Sequence, residues 1–494
     1  MHRRIRPDIL YRCFMAPPYG LAWCLAGAWF FALSPNYSAV WSQESPGKNP
    51  NISSTPSIIW NDGKLPAHDH DHGPEGHNYD SLDLSAISAS DTPEDKRRKA
   101  SMTPEQRKEY DRQRAIVERE EALARDAYFA KLPDGDSSEL AKEFSAAFES
   151  FRNSTKELVK ILQKFAVANA KSVKEVDAMQ AEWLSVVATC NKTKATWVSK
   201  ATALYASDPE KYVLIGKALK EMLLFDAERD RFDGWHEALP QLATADLPLM
   251  DEAFARAIAM TCLANNEYDI AIKFVGDVIK KGILNEQQQS YLTQLSILKD
   301  NWDKEKSFRE ADASKSNPKI EFITSKGRMV MELFEDDAPE ATKSVVYLVE
   351  KGFYNRKSFF RVEQHSVVQT GCEKGDGTGD AGYTFREPAN SRKHFRGSCG
   401  IALGSANGVA DSDSGSSQFY IACLPLSHLD SDYAVFGRIV EGIEILGLLK
   451  RMNLANEEER KENKIPPDFI LSAKVLSKRD HDYKPTVVRG KLYR

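Results

Sequence analysis

The sequence predicts two folded units of different class, an all-α region followed by a mostly-β closed antiparallel barrel with helical lids. Three observations predict them. The chain has 494 residues, roughly three times a typical domain, so one compact core is not expected. From about residue 103 to residue 310 the apolar residues recur at helical spacing. After Ser316, Asn317 and Pro318 the spacing changes to alternation, which belongs to strands. Composition agrees with this: 42% hydrophobic and 10% aromatic residues suffice for real cores. A balance of 67 basic against 72 acidic side chains, net charge -5, argues against a dedicated nucleic-acid binder. A mean hydropathy of -0.47 excludes a polytopic membrane protein.

Residues 1–42 read as a signal peptide or signal anchor. Arg3, Arg4, Arg6 and Arg12 precede an apolar run at 21–33, with Val40 and Ser42 just before a candidate cut. A basic segment, a short apolar stretch and small residues make the layout of an export signal. The run is short for a bilayer span, and Trp41 sits awkwardly in the cleavage region, so cleavage and retention both stay open. Either way the bulk of the chain is expected to be exported, to a periplasm, with membrane contact only through this segment if it is retained.

Residues 43–102, rich in Ser, Pro, Asn, Asp and Gly without sustained periodicity, read as a disordered spacer. His68, His70, His72 and His77 are four of only ten histidines, and Asp69 and Asp71 alternate with the first three. Imidazole and carboxylate are both metal ligands, but nothing fixes a geometry, so a solvated linker and a metal tract both stay open. Of seven cysteines, Cys13 and Cys24 lie in the leader. Cys190, Cys262, Cys372, Cys399 and Cys423 are too sparse for a disulfide scaffold; buried thiols are expected, with a Cys372–Cys399 bridge left open.

The all-α region runs over 103–312. Thr103 as cap, Pro104 at the first helical position and Gln106 at the third form a helix start. Leu140, Phe144, Phe148, Phe151, Leu158, Leu162 and Phe165 share one helix face and are expected to be core. Further on, residues 266–272 look like the start of the second helix of a tetratricopeptide hairpin, with Ala259 as the small residue at the crossing. Trp302 lies thirty-four residues after Tyr268, and Phe232 thirty-six before it. A hairpin stack over 208–310 would offer a concave face to a protein partner. An irregular helical bundle is the competing reading.

In the second unit, residues 319–324 and 328–334 alternate and are joined around Lys326 and Gly327, which predicts a hairpin. A helix follows from Pro339, carrying Val345, Val346, Leu348 and Val349, and stops at Gly352. Short strands and glycine-rich loops come next, ending with a strand at 469–476. Many strands with two or so helices predict the closed barrel.

Several motifs in this unit follow one another in an order and spacing that no single one would make decisive. They are residues 332–339, then Gly352, Phe353 and Tyr354, then Phe359, Phe360, Arg361 and Val362, then Gln369, Thr370 and Gly371. Residues 375–379, residues 417–421, Leu429 with Asp430, and Val435, Phe436 and Gly437 complete the series. Together they closely resemble the cyclophilin-type peptidyl-prolyl isomerases over residues 318 to about 478, which sets the unit at 317–480 with a tail at 481–494. The resemblance implies an eight-stranded closed barrel with two helices, and an enzyme that rotates the bond preceding proline without cofactor or covalent intermediate. Amide resonance sets that barrier at about 18–20 kcal/mol. By position Arg361 matches the family arginine that donates towards the prolyl nitrogen, localising its lone pair. A permanently charged fork suits a reaction with no proton transfer. Gln369 and Gln418 would hold arginine and substrate, and backbone around Gly404, Ser405 and Ala406 would pair with an extended proline-containing client.

The departures lie in the proline pocket. Ser366 and Val367 stand where the family usually has phenylalanine and methionine, Tyr420 replaces phenylalanine, His428 tryptophan and Tyr433 histidine; Leu429 stays. Losing an aromatic wall at Ser366 removes roughly 1–3 kcal/mol of apolar grip, so weak and full activity both stay open, and the change at His428 is expected to weaken cyclosporin binding. His365, His394 and His428 lack a common spacing, which speaks against a metal or nucleophilic triad. Asp411 and Asp413 read as a solvated turn, and 457–462 as a charged solvated segment. The resembling unit is expected to turn over peptides without residues 104–310. The alternative is a non-catalytic adaptor whose pocket only binds proline segments and whose helices do the main work.

Overall fold

The computed structural model describes residues 135–167, 173–284, 289–406, 409–462 and 466–493, with isolated positions at 99, 102, 107, 132 and 133. The leader, the spacer with its four histidines and the helix start at Thr103 lie outside the described residues.

Two long antiparallel helices, α1 (Glu139–Val167) and α2 (Val173–Ser207), open the helical region. Phe144, Phe151 and Leu158 of the predicted stripe are buried against Trp197 and Val198 of α2, whereas Leu140 at the start of the stripe is exposed. The side chains of Leu162 and Phe165 lie outside the described residues. Next come α3 (Val213–Glu228), a short α4 (Leu239–Leu242), α5 (Glu252–Ala264), α6 (Tyr268–Lys280) and α7 (Gln289–Asp312). Asp251 caps α5 by accepting the Phe254 N–H at 2.9 Å, the usual device for an orphan amide. The three aromatics read as repeat markers do not occupy equivalent places: Phe232 is in the loop after α3, Tyr268 opens α6 and Trp302 lies inside α7.

The second unit is built on a nine-stranded sheet in the order β11 (Met452–Asn453), β3 (Arg361–Val362), β4 (Val367–Thr370), β9 (Phe419–Ala422), β6 (Ser398–Ile401), β10 (Val435–Glu441), β2 (Arg328–Leu333), β1 (Lys319–Thr324) and β12 (Ile470–Ser477), with antiparallel pairing throughout. Its hairpin is β1 with β2, followed by α8 (Pro339–Glu350). The sheet is curled. It has nine strands rather than eight, and a single bridge, Ser358 to Phe469, links the region before β3 to the start of β12 in place of a ladder. Beside that bridge the Arg356 N–H donates to Ile470 O at 2.7 Å, the Ile470 N–H to Lys357 O at 2.8 Å and the Phe359 N–H to Asp468 O at 2.9 Å, while Arg356 takes a left-handed φ of 66°. A small hairpin pairs Ser405 with Ala410 and Ala406 with Val409. The charged segment Glu457–Glu462 is a solvated helix, α9. The five cysteines of the two units are free and buried, so Cys372 and Cys399 are not bridged.

The two units share a core, which the sequence did not lead one to expect. Phe395, Leu424 and Leu448 of the second unit belong to the helical core, and Phe395 meets Trp302 edge-on at 4.9 Å. Arg392 is 0% exposed and donates to both oxygens of Asp312 in α7, at 3.0 and 2.7 Å, and to Asp337 at 3.0 and 2.8 Å. Arg396 forks onto Asp233 at 3.0 and 2.6 Å. Removing one partner of such a buried pair strands the other charge, typically at about 3–5 kcal/mol. Residues 317–480 are therefore packed onto the helices through a shared core and buried charged pairs. Among the described residues no helix is long and apolar enough to cross a membrane.

Candidate active site

The cleft begins with strand alternation. Arg361 on β3 pairs with Gln369 on β4, which pairs with Tyr420 on β9, so three adjacent strands present their side chains in one row. Arg361 Nη1 donates to Gln369 Oε1 at 3.4 Å, and Gln369 Nε2 to Gln418 Oε1 at 3.0 Å. Gln418 Nε2 in turn donates to the carbonyls of Gly377 and Gly379, at 2.9 and 2.8 Å. The loop that supplies these carbonyls is wrapped on Cys372, whose Sγ accepts the amides of the same two glycines at 3.2 Å each. Gly377, with φ of +85°, supplies a left-handed turn that other residues rarely adopt.

Two participants were not foreseen. Glu363 accepts from Arg361 Nη2 at 2.6 Å, and its other oxygen accepts from Asn453 Nδ2 at 2.9 Å. The guanidinium is thus held on two edges, by a carboxylate and by an amide, which removes rotamer freedom before any ligand arrives. Glu363 was legible in principle, since a residue two positions along a strand shares its face. Asn453 was not, because it comes from β11, far along the chain. Phe360, Arg361, Gln369, Gly377, Gln418, Asn453, Ala455 and Asn456 line an open cleft of about 410 Å³.

The other side of the row is apolar. Val367, Tyr420, Ala422 and Leu426 form a small buried cluster, with Leu429 and Tyr433 packed on it half-buried. Tyr433 meets the Tyr420 ring edge-on at 6.1 Å. Ser366 is half-buried beside Val367, and His428 and Ser405 are exposed at the rim. Nothing further is described for the Ala406 side chain than its strand position. Tyr420 has a close backbone neighbour: a Cβ on Gly400 would stand 2.3 Å from its ring. Its hydroxyl turns inward and meets His394 Nε2 at 2.8 Å, while His394 Nδ1 meets Asp430 at 2.8 Å. With Nδ1–H donating to Asp430, Nε2 accepts from the tyrosine. Burial raises the Tyr420 phenol well above its ordinary value, so it stays a donor. Partial desolvation, and His394 second, lower the His428 pKa, so it is neutral at pH 7. The chain Asp430–His394–Tyr420 looks like a relay but is buried beneath the pocket floor, with no nucleophile facing the cleft. Among the described residues no cluster suited to a metal ion occurs.

A row of fixed hydrogen-bonding side chains beside an apolar cluster suits a ligand with an amide bond next to a compact apolar ring. Comparison with known proteins points the same way. The family model described as cyclophilin type peptidyl-prolyl cis-trans isomerase/CLD matches residues 319–475. A peptidyl-prolyl cis-trans isomerase of Helicobacter pylori is 42% identical over 132 residues, 26% of this chain and 77% of that protein. Peptidyl-prolyl cis-trans isomerase B of Bacillus subtilis is 30% identical over 29% of this chain and 95% of that protein. A solved cyclophilin-type isomerase from Cryptosporidium parvum aligns with 33% of this chain and 99% of its own, at 24% identity and a TM-score of 0.28.

Proposed function

The chain belongs to the cyclophilin-type peptidyl-prolyl cis-trans isomerases through its second unit, and from that premise we propose that the cleft rotates Xaa-Pro bonds of exported polypeptides during their folding. The observation that carries the site assignment is the guanidinium of Arg361, fixed between Gln369 and Glu363 beside the apolar cluster of Val367, Tyr420, Leu429 and Tyr433. With the pyrrolidine ring on that cluster, Arg361 donates towards the prolyl nitrogen. Its lone pair then localises, the C–N bond loses double-bond character and the barrier falls. Each 1.36 kcal/mol removed is tenfold in rate. Gln369 and Gln418 keep the arginine in place, and the backbone at Ser405 and Ala406 pairs with the extended client. No proton moves and no cofactor takes part.

Export rests on the basic and apolar segments of residues 1–42. The mature amino terminus, read by mass spectrometry, distinguishes a cleaved signal from a retained anchor. Client proteins, or a partner, would meet the outer faces of the helical region. A second reading, an adaptor that binds proline segments without turning them over, is favoured by Ser366 and His428, which leave the pocket wall partly polar.

The deciding experiment is cis–trans exchange of a Xaa-Pro peptide, followed by NMR, with and without the purified protein. Faster exchange is expected. Exchange indistinguishable from the uncatalysed rate, together with saturable peptide binding, would establish the adaptor instead.

A further inference from the structure

We propose that the helical region, through Asp230, positions the hairpin on which the isomerase site is built; this rests on the isomerase reading of the cleft. The β3–β4 turn runs from Glu363 to Ser366, with Arg361 at one end and Val367 and Gln369 at the other. Within its own unit it is held by three backbone bonds, Glu363 N–H to Val367 O at 2.9 Å, Ser366 N–H to Glu363 O at 3.3 Å and Cys423 N–H to Ser366 O at 2.8 Å, none of which reaches His365 at the tip. Its tip residue, His365, holds a left-handed φ of 57°, a region that most side chains enter only at a cost and that His and Asn enter more readily than others. Further contacts that hold it there come from the other unit.

Asp230 lies in the loop after α3 and is 0% exposed. Both of its carboxylate oxygens accept the His365 N–H, at 3.1 and 3.2 Å. Arg451, just before β11, donates to the same carboxylate and supplies the counter-charge. The His365 ring is tied as well: Nε2 donates to Ala227 O at 2.7 Å, and Phe232 lies against it at 6.4 Å. Beside this, Arg231 Nε donates to Gly447 O at 3.0 Å. One loop of the helical region thus holds the turn and the approach to β11, the two segments that deliver Val367 and Asn453 to opposite sides of Arg361. Asp230 reaches neither the cleft nor a ligand. It is a positioning residue, and the catalytic unit includes it.

The test compares the full chain with its D230N and H365N variants in Xaa-Pro exchange, fitting kcat and KM separately, well below each thermal midpoint. Asparagine keeps the shape of residue 230 while removing its charge, and at position 365 it tolerates the left-handed backbone while cutting the tie to Ala227. A loosened turn lets Val367 drift, so KM is expected to rise about fivefold to tenfold in D230N and about twofold in H365N, with kcat changed less than twofold. A merely structural role would lower the active fraction, hence apparent kcat, and leave KM alone. The amide proton of His365 should also shift upfield in D230N as its charged acceptor is lost. Unchanged KM in both variants of an active protein overturns this inference alone. Absence of exchange in the wild type removes the isomerase reading with it. Should D230N fail to fold, H365N decides by the same KM criterion.

Discussion

The two sides of the cleft are held in different ways. The arginine side is almost self-contained: Arg361, Gln369 and Gln418 stand on neighbouring strands or next to them, and sheet register alone brings them into line. The proline side borrows its rigidity. Tyr420 is held by His394 and Asp430 from beneath the sheet, and the turn carrying Ser366 is held by Asp230 from the helical region. A group that acts electrostatically needs fixed direction, and a ladder supplies it. An apolar wall needs only contact, so its composition drifts more freely if something behind it keeps the shape.

That contrast can be broken most severely at the arginine. Arg361→Ala should lower kcat/KM at least a hundredfold, about 2.7 kcal/mol of transition-state stabilisation, with little change in melting temperature because the side chain is only half-buried. NMR exchange and calorimetry on one preparation check both. A smaller effect is expected one step back in the row. Gln418→Ala removes the bonds to Gly377, Gly379 and Gln369 and should cost about tenfold in kcat/KM, the worth of one or two hydrogen bonds. No loss there would mean the row does not work as a unit.

The proline side should answer in KM and stability. Ser366→Phe restores an aromatic wall and should lower KM about fivefold, or about 1 kcal/mol, at unchanged kcat; a raised KM would place the turn elsewhere in the bound state. Tyr420→Phe leaves the buried His394 Nε2 without its donor and should reduce stability by about 1 kcal/mol while turnover stays within twofold. The smallest effect is in pH. A histidine whose pKa is lowered on folding binds its proton more readily in the unfolded chain. The stability linked to His428 is therefore present above the unfolded value near 6.5 and is lost as pH falls below it. Melting temperatures from pH 7 to 5 should fall slightly more in the wild type than in His428→Gln; parallel curves would remove His428 as a titrating element.

Much of this was legible in the residue order. The hairpin at β1 and β2, helix α8, the last strand and the helical nature of the first unit follow from periodicities of two and 3.6, which are local properties of a strand or helix. Arg361, Gln369 and Gln418 were reached through the family resemblance that their motifs carry, and Glu363 was within reach by strand alternation from Arg361. What stayed hidden has one cause. Asp230, Asn453, and the His394–Asp430 pair act across separations that no local period encodes. His394, set aside for lack of spacing with His365 and His428, is placed under Tyr420 only by the curl of the sheet. In place of the expected closed eight-stranded barrel stands a curled nine-stranded sheet, with one isolated bridge, Ser358 to Phe469, between the segment before β3 and the start of β12, a long-range pairing that no local period encodes.

The sequence by itself determined the two classes of unit and the family of the second, and pointed to Arg361 as the arginine of the proposed site, because those are written in short-range pattern and motif. Only the tertiary structure decided that the units are one body. Burying Arg392 and Arg396 is tolerable only where Asp312 and Asp233 of the helical region meet them, and a pairing of charges across some eighty to one hundred and sixty residues exists only once the chain has folded.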